Sequence, residues 1–272
     1  MTKIGLVQMN SGPDPEANLI QLKKKLKGLQ LQGARLVVTP ENTLVFGSNH
    51  DYIRHAEALG DGPLQTELAA FAKQLGIWLL IGSMPILQPD GKITSTALLF
   101  DDQGICTAHY NKLHMFDVEI EDKHHSYRES DTFQPGNEIK VVETPFGKIG
   151  LSICYDVRFP QMYSALREQG ADIIVVPAAF TKVTGKAHWD ILLRARAIET
   201  QCWLIAAAQW GEHNQGRETW GHSMIIDPWG QVLACQQQGT GVLTADIDLD
   251  FSQTIRTNMP LVEHARFSVH PR

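Results

Sequence analysis

The chain repeats itself, and that repeat limits its possible folds more than any other feature. Lys3-Ile4-Gly5-Leu6 returns as Lys148-Ile149-Gly150-Leu151, and Gly33-Ala34-Arg35-Leu36-Val37-Val38-Thr39-Pro40 returns as Gly170-Ala171-Asp172-Ile173-Ile174-Val175-Val176-Pro177. Ile77 to Gly82 resembles Cys202 to Ala207, and Ala97 to Asp101 followed by Gly104 matches Ser223 to Asp227 followed by Gly230. The four pairs keep the same order, which sets two halves at about 1–110 and 148–248. Each half reads strand, helix, strand, helix, strand, strand. Leu19, Leu22, Leu26 and Leu29 mark the first helix at helical spacing; Leu64, Leu68, Phe71 and Leu75 mark the second, with Gly76 as its stop. Trp189, Leu192, Leu193 and Ile198 mark the matching long helix of half two. The strands Leu36-Val37-Val38 and Ile173-Ile174-Val175-Val176 are apolar throughout, so both of their faces are buried. Two sheets packed face to face, with helices outside, satisfy this pattern. The expected fold is an α/β four-layer α-β-β-α sandwich with an internal pseudo-twofold repeat. The halves share one core, so residues 1–272 form one domain. Beyond Asp250 a short helix leads into an extended arm from Pro260, placed to pack on a partner subunit or to fray.

Composition narrows the function. The net charge of −6 argues against nucleic acid as the main partner, because phosphate binding needs a basic surface. The one basic run, Lys23, Lys24, Lys25 and Lys27, lies opposite the leucines of the first helix and reads as a solvated face. The N-terminus lacks a signal-peptide layout, and no apolar stretch is long enough to span a bilayer. Cys106, Cys154, Cys202 and Cys235 show no paired short spacing, which points to a reduced, cytoplasmic protein. The 11 histidines include no His-Glu-x-x-His, and no metal site is expected.

Chemistry in such sheets gathers at the carboxyl ends of the strands. Cys154 closes the first strand of half two, just before a helix, where half one has Met9. Free N–H groups and the helix dipole at that turn favour a thiolate, so a nucleophile is one reading; a small buried hydrophobe is the other. Glu41 follows Pro40 at the end of the second strand, where half two has Ala178. The halves therefore place a thiol and a carboxylate at one edge, neither duplicated. Lys112 follows the fourth strand of half one, which ends near His109, and Glu129 lies in a polar segment. Taken alone, Glu41, Lys112 and Glu129 also suit the surface.

Together these residues resemble the Glu-Lys-Cys triad of the nitrilase superfamily of carbon–nitrogen hydrolases. The likeness rests on Thr39-Pro40-Glu41-Asn42, on Tyr110-Asn111-Lys112-Leu113-His114-Met115-Phe116-Asp117 and on Ile153-Cys154-Tyr155-Asp156-Val157-Arg158-Phe159-Pro160. Within the superfamily the chain is most similar to the Nit branch, through Lys112 to Glu119, Thr184 to Trp189, Leu193 to Cys202 and Trp220 to Gly230. The resemblance implies a thiol amidase in one carbon–nitrogen hydrolase domain, with Glu41 as general base and Cys154 as nucleophile. Lys112 and the Tyr155 N–H would stabilise the oxyanion, and Glu129 would position Lys112. No step calls for a metal or an organic cofactor.

The branch implies a small anionic amide as substrate: glutathione whose α-amine has become a ketone, hydrolysed to 2-oxoglutarate and cysteinylglycine. An ω-amidase acting on 2-oxoglutaramate, another small-amide hydrolase, or a non-catalytic scaffold of the same fold are the alternatives. Carboxylates in such a substrate call for a cation or backbone donors. Arg158 and Lys182 are expected at the site by location, with Arg158 alternatively an ion pair to Asp156. Phe180 and Thr181 follow the strand that copies the one leading to Glu41 and are expected to line the site. The family's habit of packing sandwiches together implies a homodimer or larger homo-oligomer.

Overall fold

The computed structural model describes residues 1–268. Half one runs β1 (Thr2–Gln8), α1 (Pro15–Leu31), β2 (Leu36–Val38), α2 (Pro63–Leu75), β3 (Trp78–Leu87), β4 (Ile93–Phe100) and β5 (Cys106–Asn111). Half two runs β6 (Lys140–Thr144), β7 (Gly147–Leu151), α3 (Pro160–Glu168), β8 (Ile173–Val175), α4 (Lys182–Thr200), β9 (Trp203–Ala206), β10 (Ser223–Ile226) and β11 (Val232–Gln236). Then come β12 (Gly241–Ile247) and α5 (Leu249–Asn258).

The sheets have matching orders, β12-β1-β2-β3-β4-β5 and β6-β7-β8-β9-β10-β11. Each repeated segment takes the same place in its sheet. Ile4–Leu6 lie parallel to Leu36–Val38, as Ile149–Leu151 lie parallel to Ile173–Val175. Side chains then alternate between layers. Ile4, Leu6, Leu36, Val38, Leu80 and Leu99 join the core shared with sheet two. Val7, Val37, Leu79, Ile81 and Leu98 instead pack with Leu22, Leu26 and Leu29 of α1 and Leu68 and Phe71 of α2. The repeated glycine has a physical use here. A Cβ on Gly5 would stand 3.0 Å from Leu29 of α1, and one on Gly150 would meet Leu166 of α3 at 3.4 Å. A helix thus lies directly over the first strand of each half.

Local signals set the helix ends. Asp14 caps α1 by accepting from Glu16 N (3.0 Å) and Ala17 N (3.3 Å), with Pro15 in the first turn. Gly76 ends α2 in the left-handed region at φ 60°. Lys23 pairs with Glu67, and Lys23 and Lys27 lie over the Phe71 ring, so part of the basic run covers apolar surface.

In its fold the structure departs from the sequence reading in four places. β12 comes from the end of the chain but pairs along all of β1, so it belongs to sheet one; sheet two opens with β6, ahead of residue 148. Half one has two strands between Ile93 and Asn111, and Lys112 follows the second directly. Ile198 is 48% exposed on α4, while Trp189 and Leu193 are buried. The arm after Pro260 begins with a helical turn, Leu261–His264; residues 269–272 lie outside the described residues.

Candidate active site

Three strand ends converge at one edge of the sandwich. After β2, the Thr39 hydroxyl accepts from Gly82 N (2.9 Å) and meets the Thr43 hydroxyl at 2.7 Å. Asn42, at φ 56°, donates its N–H to Ser83 Oγ (2.8 Å), and the Glu41 carbonyl accepts from Gln209 Nε2 (3.0 Å). A Cβ on Gly82 would lie 2.3 Å from the Thr39 and Pro40 carbonyls and 2.5 Å from Pro177, the copy of Pro40. The two halves touch at that glycine. These contacts fix the backbone that carries Glu41, itself 3% exposed.

Lys112 is anchored on both sides, its N–H to Ser95 O (2.9 Å) and its carbonyl from Gly136 N (2.8 Å). Its ammonium lies 2.8 Å from Glu41 Oε1 and 2.8 Å from both oxygens of Glu129. Glu129 also accepts from Phe116 N at 2.7 Å. Burial opposes the Lys112 charge, but Glu129 and Glu41 outweigh it and hold its pKa well above the usual lysine value. Burial, aided by Glu41, raises the pKa of Glu129 despite Lys112.

Cys154 sits at φ 49°, in a left-handed conformation that is strained for a side-chain-bearing residue, with its N–H on Pro177 O (2.8 Å). Asp156 secures this turn. Its buried carboxylate accepts from Ile153 N (2.8 Å), Tyr110 OH (2.7 Å) and His114 N (3.2 Å), and its Oδ1 lies 2.7 Å from His114 Nδ1. The turn leaves the Tyr155 N–H without a partner among the described residues, while Asp156 N bonds Ile153 O. The thiol does not match the expectation of a ready thiolate. Burial, then the Glu41 charge, push its pKa well above the normal cysteine value, outweighing Lys112 and the Ala179 N–H. The short helical turn Cys154–Arg158 supplies too little dipole to offset desolvation.

Glu41, Lys112, Glu129, Cys154 and Tyr155 line one cavity of about 360 Å³, together with Phe180 and Thr181. Arg158 and Lys182 do not line it. The Arg158 guanidinium rests over the Phe180 ring (5.0 Å) and lies 3.2 Å from His188 Nδ1. Nor does it pair with Asp156, whose oxygens are taken by Tyr110, His114 and Ile153. Lys182 points outward to Glu218 (3.0 Å). Sequence reasoning missed Arg217, Tyr127, Asn49 and Tyr52, which do line the cavity. Arg217 lies on the hairpin Trp210–Glu212/Glu218–Trp220, inserted between β9 and β10 with no counterpart in half one, so the repeat carried no signal for it. Among the described residues, no group of three or more His, Cys, Asp or Glu side chains is arranged to hold a metal ion, and no helix is long and apolar enough to cross a membrane.

Residues 3–257 match the family model described as carbon-nitrogen hydrolase. A deaminated glutathione amidase from Yersinia enterocolitica is 49% identical, over 99% of this chain and 95% of that one. The crystal structure of the C. elegans NitFhit protein superposes with a TM-score of 0.91 at 39% identity, over 97% of this chain and 65% of that longer one. Saccharomyces cerevisiae Nit3, a member of branch 10 of the nitrilase superfamily, superposes at 0.88 with 29% identity, over 98% and 97% of the two chains. The chain belongs to the carbon–nitrogen hydrolase family, the nitrilase superfamily, and is a hydrolase of carbon–nitrogen bonds other than peptide bonds.

Proposed function

We propose that this protein is an amidase that hydrolyses deaminated glutathione to 2-oxoglutarate and cysteinylglycine through a thioester on Cys154. One observation carries the mechanism: a buried lysine clamped at 2.8 Å by two glutamates beside a buried thiol, in one cavity. The likeness to amidases of that substrate supports its identity.

Burial and the Glu41 charge disfavour a resting thiolate, so Glu41 is placed to take the proton as attack begins. Glu41 accepts it while Sγ adds to the amide carbon. The carbonyl oxygen gains negative charge beside the Lys112 ammonium and the free Tyr155 N–H. Glu41 then passes its proton to the amide nitrogen, the C–N bond breaks and cysteinylglycine leaves. Water, deprotonated by Glu41, attacks the thioester. The second tetrahedral intermediate expels the thiolate, which regains its proton from Glu41. Glu129 keeps Lys112 charged and aimed throughout.

Steady-state hydrolysis of deaminated glutathione beside 2-oxoglutaramate tests the substrate. The proposal expects the higher kcat/KM for deaminated glutathione. Preference for 2-oxoglutaramate would move the protein to the ω-amidase reaction with the same triad.

We place the enzyme in the cytoplasm, supported by four free cysteines. We also propose a homodimer or larger homo-oligomer. Ile191 (68% exposed) and Ile198 lie two turns apart on one face of α4, and Trp229 (61% exposed) neighbours Gly230, which packs on Ile198. Such an apolar strip suits a second sandwich.

A further inference from the structure

We infer that Arg217 is the anion anchor of the cavity and binds a carboxylate of the substrate; the inference rests on the reading of the cavity as the site for an anionic amide. The cavity has three cationic side chains, Lys112, Arg128 and Arg217. Lys112 is saturated by Glu41 and Glu129. Arg128 is half exposed and paired with Glu119. Arg217 has no carboxylate within 4.0 Å among the described residues, and its buried Nε has no hydrogen-bond partner. Among the described residues its guanidinium makes one hydrogen bond, and that bond is long, from Nη2 to Ala179 O at 3.4 Å.

The guanidinium is nevertheless held in place. It lies 4.8 Å from the Phe46 ring centroid and 5.4 Å from that of Tyr127. Two aromatic rings fix its position and strip water from it without neutralising it. Glu41, Glu129 and Asp131 give the rest of the lining a negative bias, so an anionic substrate needs one cation free to receive it. An arginine suits that task, because its planar fork matches a carboxylate. Its place also fits. The Ala179 backbone turns its N–H toward the Cys154 thiol and its carbonyl toward Arg217, so one residue separates the nucleophile from the anchor. The anchor would then receive a carboxylate carried a few bonds from the attacked amide. Arg217 thereby takes the part that location in sequence had given to Arg158 and Lys182.

The test is binding and selectivity in Arg217→Gln, with Arg217→Lys as the charge-retaining control and thermal unfolding to verify folding. Calorimetric titration with glutarate probes the anchor independently of turnover. Arg217→Gln should weaken glutarate binding by about 10- to 100-fold, with Arg217→Lys between it and the wild type. The ratio of kcat/KM for glutaramate to that for uncharged pentanamide should fall by a similar factor, mostly through KM. Loss on deaminated glutathione and 2-oxoglutaramate alike would assign the carboxylate to the acyl end. Loss on deaminated glutathione alone, with glutarate binding weakened as expected, would assign it to the departing dipeptide. Glutarate affinity and selectivity unchanged in a folded Arg217→Gln protein would overturn the inference. If the wild type binds glutarate through Arg217 but hydrolyses no anionic amide, the amidase reading fails and the anchor stands.

Discussion

Lys112 shows how a buried charge is kept where it is needed. Desolvation opposes its charge, and Glu41 and Glu129 at 2.8 Å outweigh that opposition. Lys112→Met would leave two carboxylates facing each other in a buried site. It should lower stability by about 3–5 kcal/mol in urea unfolding and reduce turnover by about 10²–10³-fold through loss of oxyanion stabilisation. Cys154 makes the opposite prediction about charge. With its pKa raised above the ordinary value of 9.0, the folded enzyme should show no Cys154 thiolate absorbance near neutral pH. The difference spectrum between wild type and Cys154→Ala at about 240 nm checks this; a thiolate step between pH 6 and 8 would sink it. Glu41, Lys112 and Cys154 were legible because each falls where a repeated strand ends or a family motif stands. Side-chain direction was not legible. Arg158 and Lys182 lie close to the site in sequence, yet one folds over Phe180 and the other leaves for Glu218.

At the level of elements, α4 reaches the cavity because Gly185 lets it dock on the inserted hairpin. A Cβ there would lie 2.2 Å from Trp220 Cβ. Thr181, the α4 cap, is bridged to Thr219 of the same hairpin, and Thr181 and Thr184 both line the cavity. Alanine favours a helix interior over glycine by about 1 kcal/mol, yet Gly185→Ala should destabilise by about 1–3 kcal/mol because the clash outweighs propensity. Denaturant midpoints decide between the two signs. The strands and main helices were readable from apolar periodicity. The hairpin carrying Arg217 was not, since three-residue strands without a repeat partner leave little pattern.

For the whole molecule, the repeat identified two equivalent sheets but not how the chain closes them. β12 completes sheet one from the far end of the sequence, matching all seven residues of Thr2–Gln8. The register could not be read in advance, because β12 has no copy among the repeated segments. A chain ending before Gly241 should therefore fail to fold in both halves, seen as loss of cooperative unfolding by circular dichroism. An independently folded 140–240 half would contradict the shared core. At the outer surface, Trp229→Glu should shift the proposed homo-oligomer toward monomers in light scattering, because it puts a charge in the exposed strip beside Ile198.

The most direct test of the account is release of 2-oxoglutarate from deaminated glutathione by the wild type and by Cys154→Ala, each verified as folded by near-ultraviolet circular dichroism. The account predicts turnover by the wild type and a loss of at least about 10³-fold in the variant. Comparable rates in the two proteins would contradict a thioester on Cys154.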